Sequence, residues 1–423
     1  MTELVQILSD VQKQAFDTIE RTHNNVLIMG QAGTGKSTFV NYLKAASAKR
    51  ILCACPTAVS ALNIGGQTIH SLFQIQPRDF IMPEFLKLKA KVRNILTATD
   101  VLIVDEISMV APDLLDAMDL LARQARHDNA PFGGIQVVAI GDLFQLPPVI
   151  TADAQKYYLS EYGFNNSYFF DSHVYLRSDF LRFSFDRVYR QNDGELLENL
   201  VRLRNGDLGA LEFFNKCRID DVSRRQDAVL ITPYRAMAEN INASRLAAIP
   251  APSVAFTGVL EGNFSEKDVP APMRLVLKVG ALVVFVKNSD KWHNGSMGRV
   301  LEIGARDIRV ELLNAARTIV SVKPEKWEKI EYVRDENDRL QEHEIGSYKQ
   351  FPLNLGYAMT IHKAQGKTLD AVVVDISRGA FAHGQTYVAL SRTRSACDMH
   401  IATQLKPKDV IFDKRVLDFM NGE

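Results

Sequence analysis

Residues 30–37 carry the residue types that hold a polyphosphate. Gly30-Gln31-Ala32-Gly33-Thr34-Gly35-Lys36-Ser37 has the spacing G-x-x-x-x-G-K-S, with Thr38 next in line. The glycines let the backbone wrap phosphate oxygens with its amide groups, and a helix beginning at the lysine adds a favourable dipole. Lys36 is placed to reach the β- and γ-phosphates, and the Ser37 hydroxyl to ligate Mg²⁺. A second group lies at Asp105-Glu106, after the apolar run VLIV. Asp105 can hold Mg²⁺ through water, and Glu106 can orient or deprotonate an attacking water. These residues point to nucleoside triphosphate hydrolysis. No Asn-Lys-x-Asp guanine reader follows, which argues against a GTPase.

Chemistry of this kind needs strands that end beside loops. Apolar runs at 26–30, 50–56, 100–106 and 135–142 are short and mostly β-branched, and helical patterns separate them. Alternation of this kind predicts a parallel sheet covered by helices, with ligands beyond the strand ends. Ser9 and Asp10 can cap a first helix whose buried face holds Val11, Ala15 and Ile19, with Phe16 at its margin. A second alternating set covers 227–233 and 370–377. Between the two sets, residues 255–350 read as short alternating strands with Gly, Asn and Asp turns, a small β-barrel. Residues 74–97 interrupt the first set as an insertion. The charge run 335–344 reads as a solvated turn.

The 423 residues carry 50 Lys plus Arg against 50 Asp plus Glu, which excludes a polycation but leaves room for a basic channel balanced elsewhere. No run of 18 apolar residues predicts a membrane span, and the first residues lack the pattern of a secretory signal. Cys53, Cys55, Cys217 and Cys397 have neither zinc nor disulfide spacing and are expected to be reduced and buried.

The strings ILCACPTAVSALNIGGQTIHSLF, VDEISMVAPDLLDAMDLLARQAR, PFGGIQVVAIGDLFQLPPV, VYRQND, YAMTIHKAQGKTLDAVVV and TYVALSRTR occur in that order. They resemble the motifs of superfamily 1B, and their wording is similar to the petite-integration-frequency family of 5′→3′ DNA helicases, relatives of phage Dda and RecD-like helicases. The resemblance implies an α/β fold of two RecA-like motor domains with a small wedge insertion and an SH3-like barrel insertion. The domains would be 1–185 (with 74–97 as wedge), then 186–250 with 351–423, with the barrel at 251–350.

It also implies roles for single residues. Gln12 would read the adenine edge. Gln145 would sense the γ-phosphate from the first motor domain. Arg190 and Arg392 would be cations contributed across the cleft, and Gly366 would let backbone approach the phosphates. Gly30, Ala32, Gly33, Thr34, Gly35, Lys36, Ser37 and Thr38 would cradle ATP, with Mg²⁺ on Ser37 and Asp105. Thr57, Thr68, His70, His362 and Lys363 would face single-stranded DNA, with Phe73 and Phe80 as stacking candidates. The implied enzyme is an ATP-dependent DNA helicase of replication, repair or recombination. It would act as a monomer on single-stranded and tailed or forked DNA, without a membrane, in the cytoplasm and about the nucleoid. The alternative is a DNA-stimulated ATPase that remodels protein–DNA complexes without separating strands.

Overall fold

Ser9 opens the first helix, α1 (Asp10–Arg21), in the computed structural model, which describes residues 8–189, 193–222, 225, 227–314, 316–337 and 339–422. The Gln12 amide donates to the Ser9 hydroxyl, and the Ser9 amide donates to Gln12 Oε1, a capping box. Ala15 and Ile19 face inward as the spacing predicts. Val11 does not, being 38% exposed, and Gln12 takes the inner position at 3%. At 100° per residue Val11 and Gln12 flank the Ala15–Ile19 face on opposite sides. A polar contact of Gln12, given below, decides between them.

Contacts divide the chain into two units. The first contains α1, β1 (Asn25–Gly30), α2 (Lys36–Ala46), β2 (Ile51–Cys55), α3 (Ala58–Ile64), β3 (Gln67–Thr68), α4 (Ile69–Leu72), α5 (Ala90–Thr97), β4 (Val101–Val104), α6 (Pro112–Arg126), β5 (Gln136–Gly141), α7 (Ala152–Tyr162), α8 (His173–Leu176) and β6 (Phe180–Phe185). Its sheet has the order β3-β2-β4-β5-β1-β6, and every pairing is parallel. Val26, Ile28, Cys53, Ile103, Val138 and Ile140 from the strands pack with Phe39, Val40 and Leu43 of α2. Central strands buried on both faces need such continuous apolar runs.

The insertion is shorter than the sequence suggests. Val92, Ile95 and Leu96 of α5 are buried, and the helix packs on α6, so only residues 74–89 depart from the motor core. Asp113, Asp116 and Asp119 of α6, three residues apart on one face, hold the surrounding loops. Asp113 accepts from the Ile81 amide at 2.6 Å and from the Tyr158 hydroxyl at 2.9 Å. Asp116 accepts from the amides of His173 and Val174, and Asp119 from that of Phe132.

The second unit contains α9 (Gly194–Arg204), α10 (Leu211–Lys216), β7 (Val229–Thr232), α11 (Arg235–Ala247), β8 (Val254–Thr257), β9 (Val259–Gly262), β10 (Arg274–Leu277), β11 (Leu282–Phe285), β12 (Met297–Ile303), β13 (Ile308–Leu312) and β14 (Ile319–Val322). A long hairpin follows, β15 (Glu325–Arg334) and β16 (Leu340–Gln350). The unit continues with β17 (Leu353–Leu355), β18 (Ala358–Thr360), α12 (Ile361–Ala364), β19 (Val372–Val374), α13 (Gln385–Leu390), β20 (Met399–Ile401) and α14 (Lys414–Asn421). A parallel sheet of order β18-β7-β19-β20 forms its motor part. The barrel segment contributes the antiparallel order β14-β13-β12-β11-β17, around a core of Val283, Phe285, Val300, Val310 and Leu353. It therefore runs past residue 350, because β17 pairs with β11.

Two short segments depart from the expected domains. The hairpin's outer part, Glu328–Gly346, belongs to the first unit rather than to the barrel. Tyr332 is buried there. Its hydroxyl accepts from the Cys53 amide at 3.4 Å, and its own amide donates to Gln67 Oε1 at 3.3 Å. Conversely, Phe144–Leu146 belongs to the second unit. Within that unit Gly384 adopts φ 74°, and a Cβ on it would lie 2.4 Å from the Gln145 carbonyl oxygen. Only glycine permits that approach.

Among the described residues no helix is long and apolar enough to cross a membrane. Cys53 and Cys55 are buried, but Cys217 is half-buried and Cys397 exposed, so the expectation of burial fails for those two.

Candidate functional site

In the first unit, the parallel strands bring their loops to one edge of the sheet. The phosphate loop leaves β1, Thr57 follows β2, Thr68 ends β3, and Asp105-Glu106 follows β4. Gly33 and Gly35 adopt φ 84° and 83°, the left-handed conformation that the wrapped loop requires. A Cβ on Gly30 would meet Thr34 Oγ1 at 2.6 Å, so the loop's first residue must also be small. Gly35 begins α2 without any side-chain cap. The helix's first amides are thus left for an anion.

Lys36 Nζ donates to the carbonyls of Gly30 at 2.6 Å and Gln31 at 2.9 Å, inside the loop. Ser37 and Thr38 are exposed on the first turn of α2, and Ala32 is buried in the loop. Asp105 is buried. Desolvation pushes its carboxyl above the ordinary range, opposed by the Glu106 amide that it accepts and by the nearby Lys36 ammonium. Glu106 stands at φ 53° and ψ 44°, a left-handed conformation uncommon for a residue with a side chain. Such local strain is typical of positions where a side chain must be aimed.

Gln12 has its carboxamide engaged at both ends. Oε1 completes the helix cap, and Nε2 donates to the Thr34 carbonyl at 3.2 Å. It therefore ties α1 to the phosphate loop, which explains why it displaces Val11 from the inner face.

The DNA-facing candidates of this unit share one local device. Thr57 caps α3, accepting from the Ser60 amide, and Thr68 caps α4, accepting from the Ser71 amide. His70 is half-buried, and desolvation lowers its imidazole below the ordinary value. Phe73 contradicts the expectation of stacking: at 1% exposure its ring is core. It caps the C-terminus of a one-turn helix whose other apolar residues, Ile69 and Leu72, also point inward. Phe80 stacks on Tyr157 at a centroid distance of 4.5 Å, so one face of its ring is already occupied.

In the second unit, Thr360 caps α12 by accepting from the Lys363 amide, and Lys363 is exposed. Burial also lowers the imidazole of His362. Gly366 adopts φ 75°, with open space where a Cβ would stand. The following residues are braced from the barrel. Lys367 Nζ donates to Asn294 Oδ1, the Met297 amide donates to Asp370, and a Cβ on Gly295 (φ 105°) would meet the Thr368 carbonyl oxygen at 2.1 Å. Burial, with Lys363 nearby, pushes Lys367 down to about 8.

Arg392 has 0% exposure, and its donors serve its own unit. Nε donates to the Val388 carbonyl, Nη1 to those of Ala364 and Lys367, and Nη2 to Ser391 Oγ. Gln145 is buried, in the segment Phe144–Leu146 whose contacts group it with the second unit. The close approach of Gly384 holds its backbone there. Arg190 lies outside the described residues.

Two polar groups escaped the sequence reading. Ser108 Oγ, two residues beyond Glu106, and Gln385 Nε2, at the start of α13, are buried with no hydrogen-bond partner among the described residues. Their neighbours in the strings VDEISM and GQTYVALSR were the only signal available. No cluster of three or more His, Cys, Asp or Glu suited to a metal occurs among the described residues. The donor set that is present suits Mg²⁺ even so, because that ion commonly takes one or two protein oxygens together with substrate phosphates.

Residues 7–209 match the family model described as PIF1-like helicase. The chain is 30% identical over 425 residues to the ATP-dependent DNA helicase Pif1 of Bdellovibrio bacteriovorus, covering 97% of this chain and 91% of that protein. Among solved structures it is similar to Bacteroides sp Pif1 in complex with ADP-AlF4. That match has a TM-score of 0.91 and 32% identity, over 98% of this chain and 97% of the other. The structure of Bacteroides Pif1 bound to ssDNA matches with a TM-score of 0.70 at the same identity and coverage.

Proposed function

Because the chain belongs to the PIF1-like helicase family and is an ATP-dependent DNA helicase, we propose that it moves 5′→3′ along single-stranded DNA and parts duplex ahead of it. The motor reading is supported most by the shared end of the first sheet, where the phosphate loop, the acid pair and the two threonine caps all leave strands. The direction rests on TIHSLF, FGGIQ and IHKAQGKTLD, whose wording resembles the 5′→3′ branch. A strand gripped by Thr57, Thr68 and His70 would then lie on the same edge as the nucleotide.

The phosphate loop holds ATP, with Lys36 moving from its own carbonyls to the phosphates. Ser37 and Asp105 would hold Mg²⁺, which would supply neutralisation of charge on the phosphates. Glu106 aligns the attacking water. Gln145 contacts the γ-phosphate; Arg190, and Arg392 once it leaves the carbonyls it serves in this structure, stabilise charge developing in the transition state. Gln12 exchanges its bond to Thr34 for the adenine edge. Gly366 allows backbone to approach the phosphates. His362 and Lys363 hold the strand on the second unit, by contacts to backbone and sugar that carry no sequence information. The enzyme works as a monomer, in the cytoplasm, on DNA under replication, repair or recombination.

The test is a pair of duplexes that differ only in carrying a 5′ or a 3′ single-stranded tail. ATP-dependent separation of the 5′-tailed duplex is the expected result. Separation of the 3′-tailed duplex alone would reverse the direction. Failure on both, with DNA-stimulated hydrolysis intact, would select the remodelling ATPase.

A further inference from the structure

A second binding groove lies on the insertion of the first unit. It is a cavity of about 200 Å³ that starts directly after α4. Ile81 and Met82 form part of its apolar floor, and Arg78, Phe85, Lys87 and Lys89 line its rim. The Phe85 ring is 60% exposed, and the Arg78 guanidinium stands 5.5 Å from its centroid. Both lysines are exposed.

The wall is held in place from behind. Asp113 accepts the Ile81 amide, the Tyr157 hydroxyl donates to the Ile81 carbonyl at 3.3 Å, and Tyr157 stacks on Phe80. Residues 74–89 contain three cations (Arg78, Lys87, Lys89) against two carboxylates (Asp79, Glu84), and all three cations line the groove. An open aromatic face, an apolar floor and three rim cations match a nucleobase and its phosphates.

We propose that this groove binds the strand of a forked duplex that the motor does not track. This rests on the helicase reading above, in which the tracked strand lies against Thr57, Thr68 and His70. The groove and those contacts are joined by α4, with Thr68 and His70 at its start and the groove at its end. A single helical turn, roughly 6 Å of rise, therefore separates the two places. Two strands parting at a fork would be received on either end of it. The groove would keep the second strand from re-pairing, and Phe85 would stack on its first unpaired base.

The experiment compares the affinity of the full chain for a 5′-tailed duplex and for a fork with the same 5′ tail plus a 3′ tail. The proteins are wild type, Phe85→Ala and the triple variant Arg78→Ala/Lys87→Ala/Lys89→Ala. Wild type is expected to prefer the fork by about tenfold, and the triple variant to bind the two equally. The salt slope of fork binding should fall by about 2, since each lost phosphate contact on a single strand contributes roughly 0.7. Stimulation of hydrolysis by single-stranded DNA should stay within about twofold, because the groove does not hold the tracked strand. An unchanged fork preference and slope in the triple variant overturns the proposal. Loss of single-strand stimulation in that variant also overturns it, by placing the tracked strand in the groove. Absence of any DNA stimulation in wild type would instead strike the helicase reading itself. The triple variant removes only exposed charges, so it remains informative if Phe85→Ala disturbs folding.

Discussion

Thr68-Ile69-His70 and Thr360-Ile361-His362 are the same three residues, one set in each unit. Both form the start of a four-residue helix. In both, the threonine hydroxyl accepts the amide three residues on, the isoleucine is buried, and burial lowers the imidazole. They differ in how the chain leaves. The first turn ends in the core residue Phe73 and Gln74 at φ 53°, then opens into the insertion. The second ends at Gly366 and enters a loop tied to Arg392 and braced by Gly295. Local sequence therefore sets the cap and the outward histidine. Distant residues decide whether the turn opens into the insertion or into the braced loop.

The largest expected effects separate the chemistry of the two units. Glu106→Gln should bind ATP with near-wild-type affinity yet lose about 10²–10⁴ in turnover, with little change in melting temperature. Arg392→Ala should lose turnover to a similar extent and also melt earlier, because it deprives buried carbonyls of donors at a cost of roughly 2–4 kcal/mol. A calorimetric melt beside an ATPase assay distinguishes the two. Equal melting temperatures would remove Arg392 from its structural role.

A smaller contrast concerns the loop brace. Gly295→Ala must push against the Thr368 carbonyl in a strained conformation, and should cost more stability than Gly366→Ala, which meets only open space and the left-handed penalty of about 1 kcal/mol. Urea unfolding of both variants checks the order.

On DNA, Lys363→Ala should lower the salt slope by roughly 0.7, whereas His70→Ala and His362→Ala should leave it unchanged at pH 7, because both imidazoles are neutral there. All three should raise the DNA concentration that half-saturates hydrolysis. The same lowered imidazoles set a pH dependence of folding. The unfolded chain takes up their protons first as pH falls through the ordinary imidazole range. Stability from these residues is therefore complete above that range and is lost on acidification toward their folded values. The loss should shrink in a His70→Ala/His362→Ala variant followed by denaturation at several pH values.

The smallest expected effect tests the likeness itself. Thr68→Val and Thr360→Val should each cost about 1 kcal/mol, the worth of a helix cap, and the two values should agree. Chemical denaturation of each variant measures it. A marked inequality would show that the exits reach back into the turns.

What could be read in advance was local. Ser9 as a cap, the strand–loop–helix around Lys36 and the acids after β4 depend on neighbours a few residues away. The departures come from long-range packing. Phe73 has the chemistry of a stacking residue, but the burial of Ile69 and Leu72 turns it inward. Periodicity alone could not choose between Val11 and Gln12, which is held by the Thr34 carbonyl 22 residues on. Arg392 sits in a motif that suggests an open cation, yet carbonyls 25 and 28 residues away enclose it. The barrel's last strand is set by its pairing with β11, about 70 residues earlier in the chain.

The hairpin of β15 and β16 bears on how the chain can assemble during synthesis. Its Tyr332 fills a place between Cys53, Gly65 and Gln67, more than 260 residues earlier. While the ribosome has made only the first six strands, that place has no occupant. The first unit is completed only after most of the second has emerged. Closing so long a loop costs little equilibrium stability, since each doubling of length adds only about 0.6 kcal/mol. Its effect falls on the rate, because contacts so far apart in sequence form late. A nascent chain halted before residue 328 should therefore be cut by protease near β2 and β3, and the same region should become protected once residue 346 has cleared the exit tunnel.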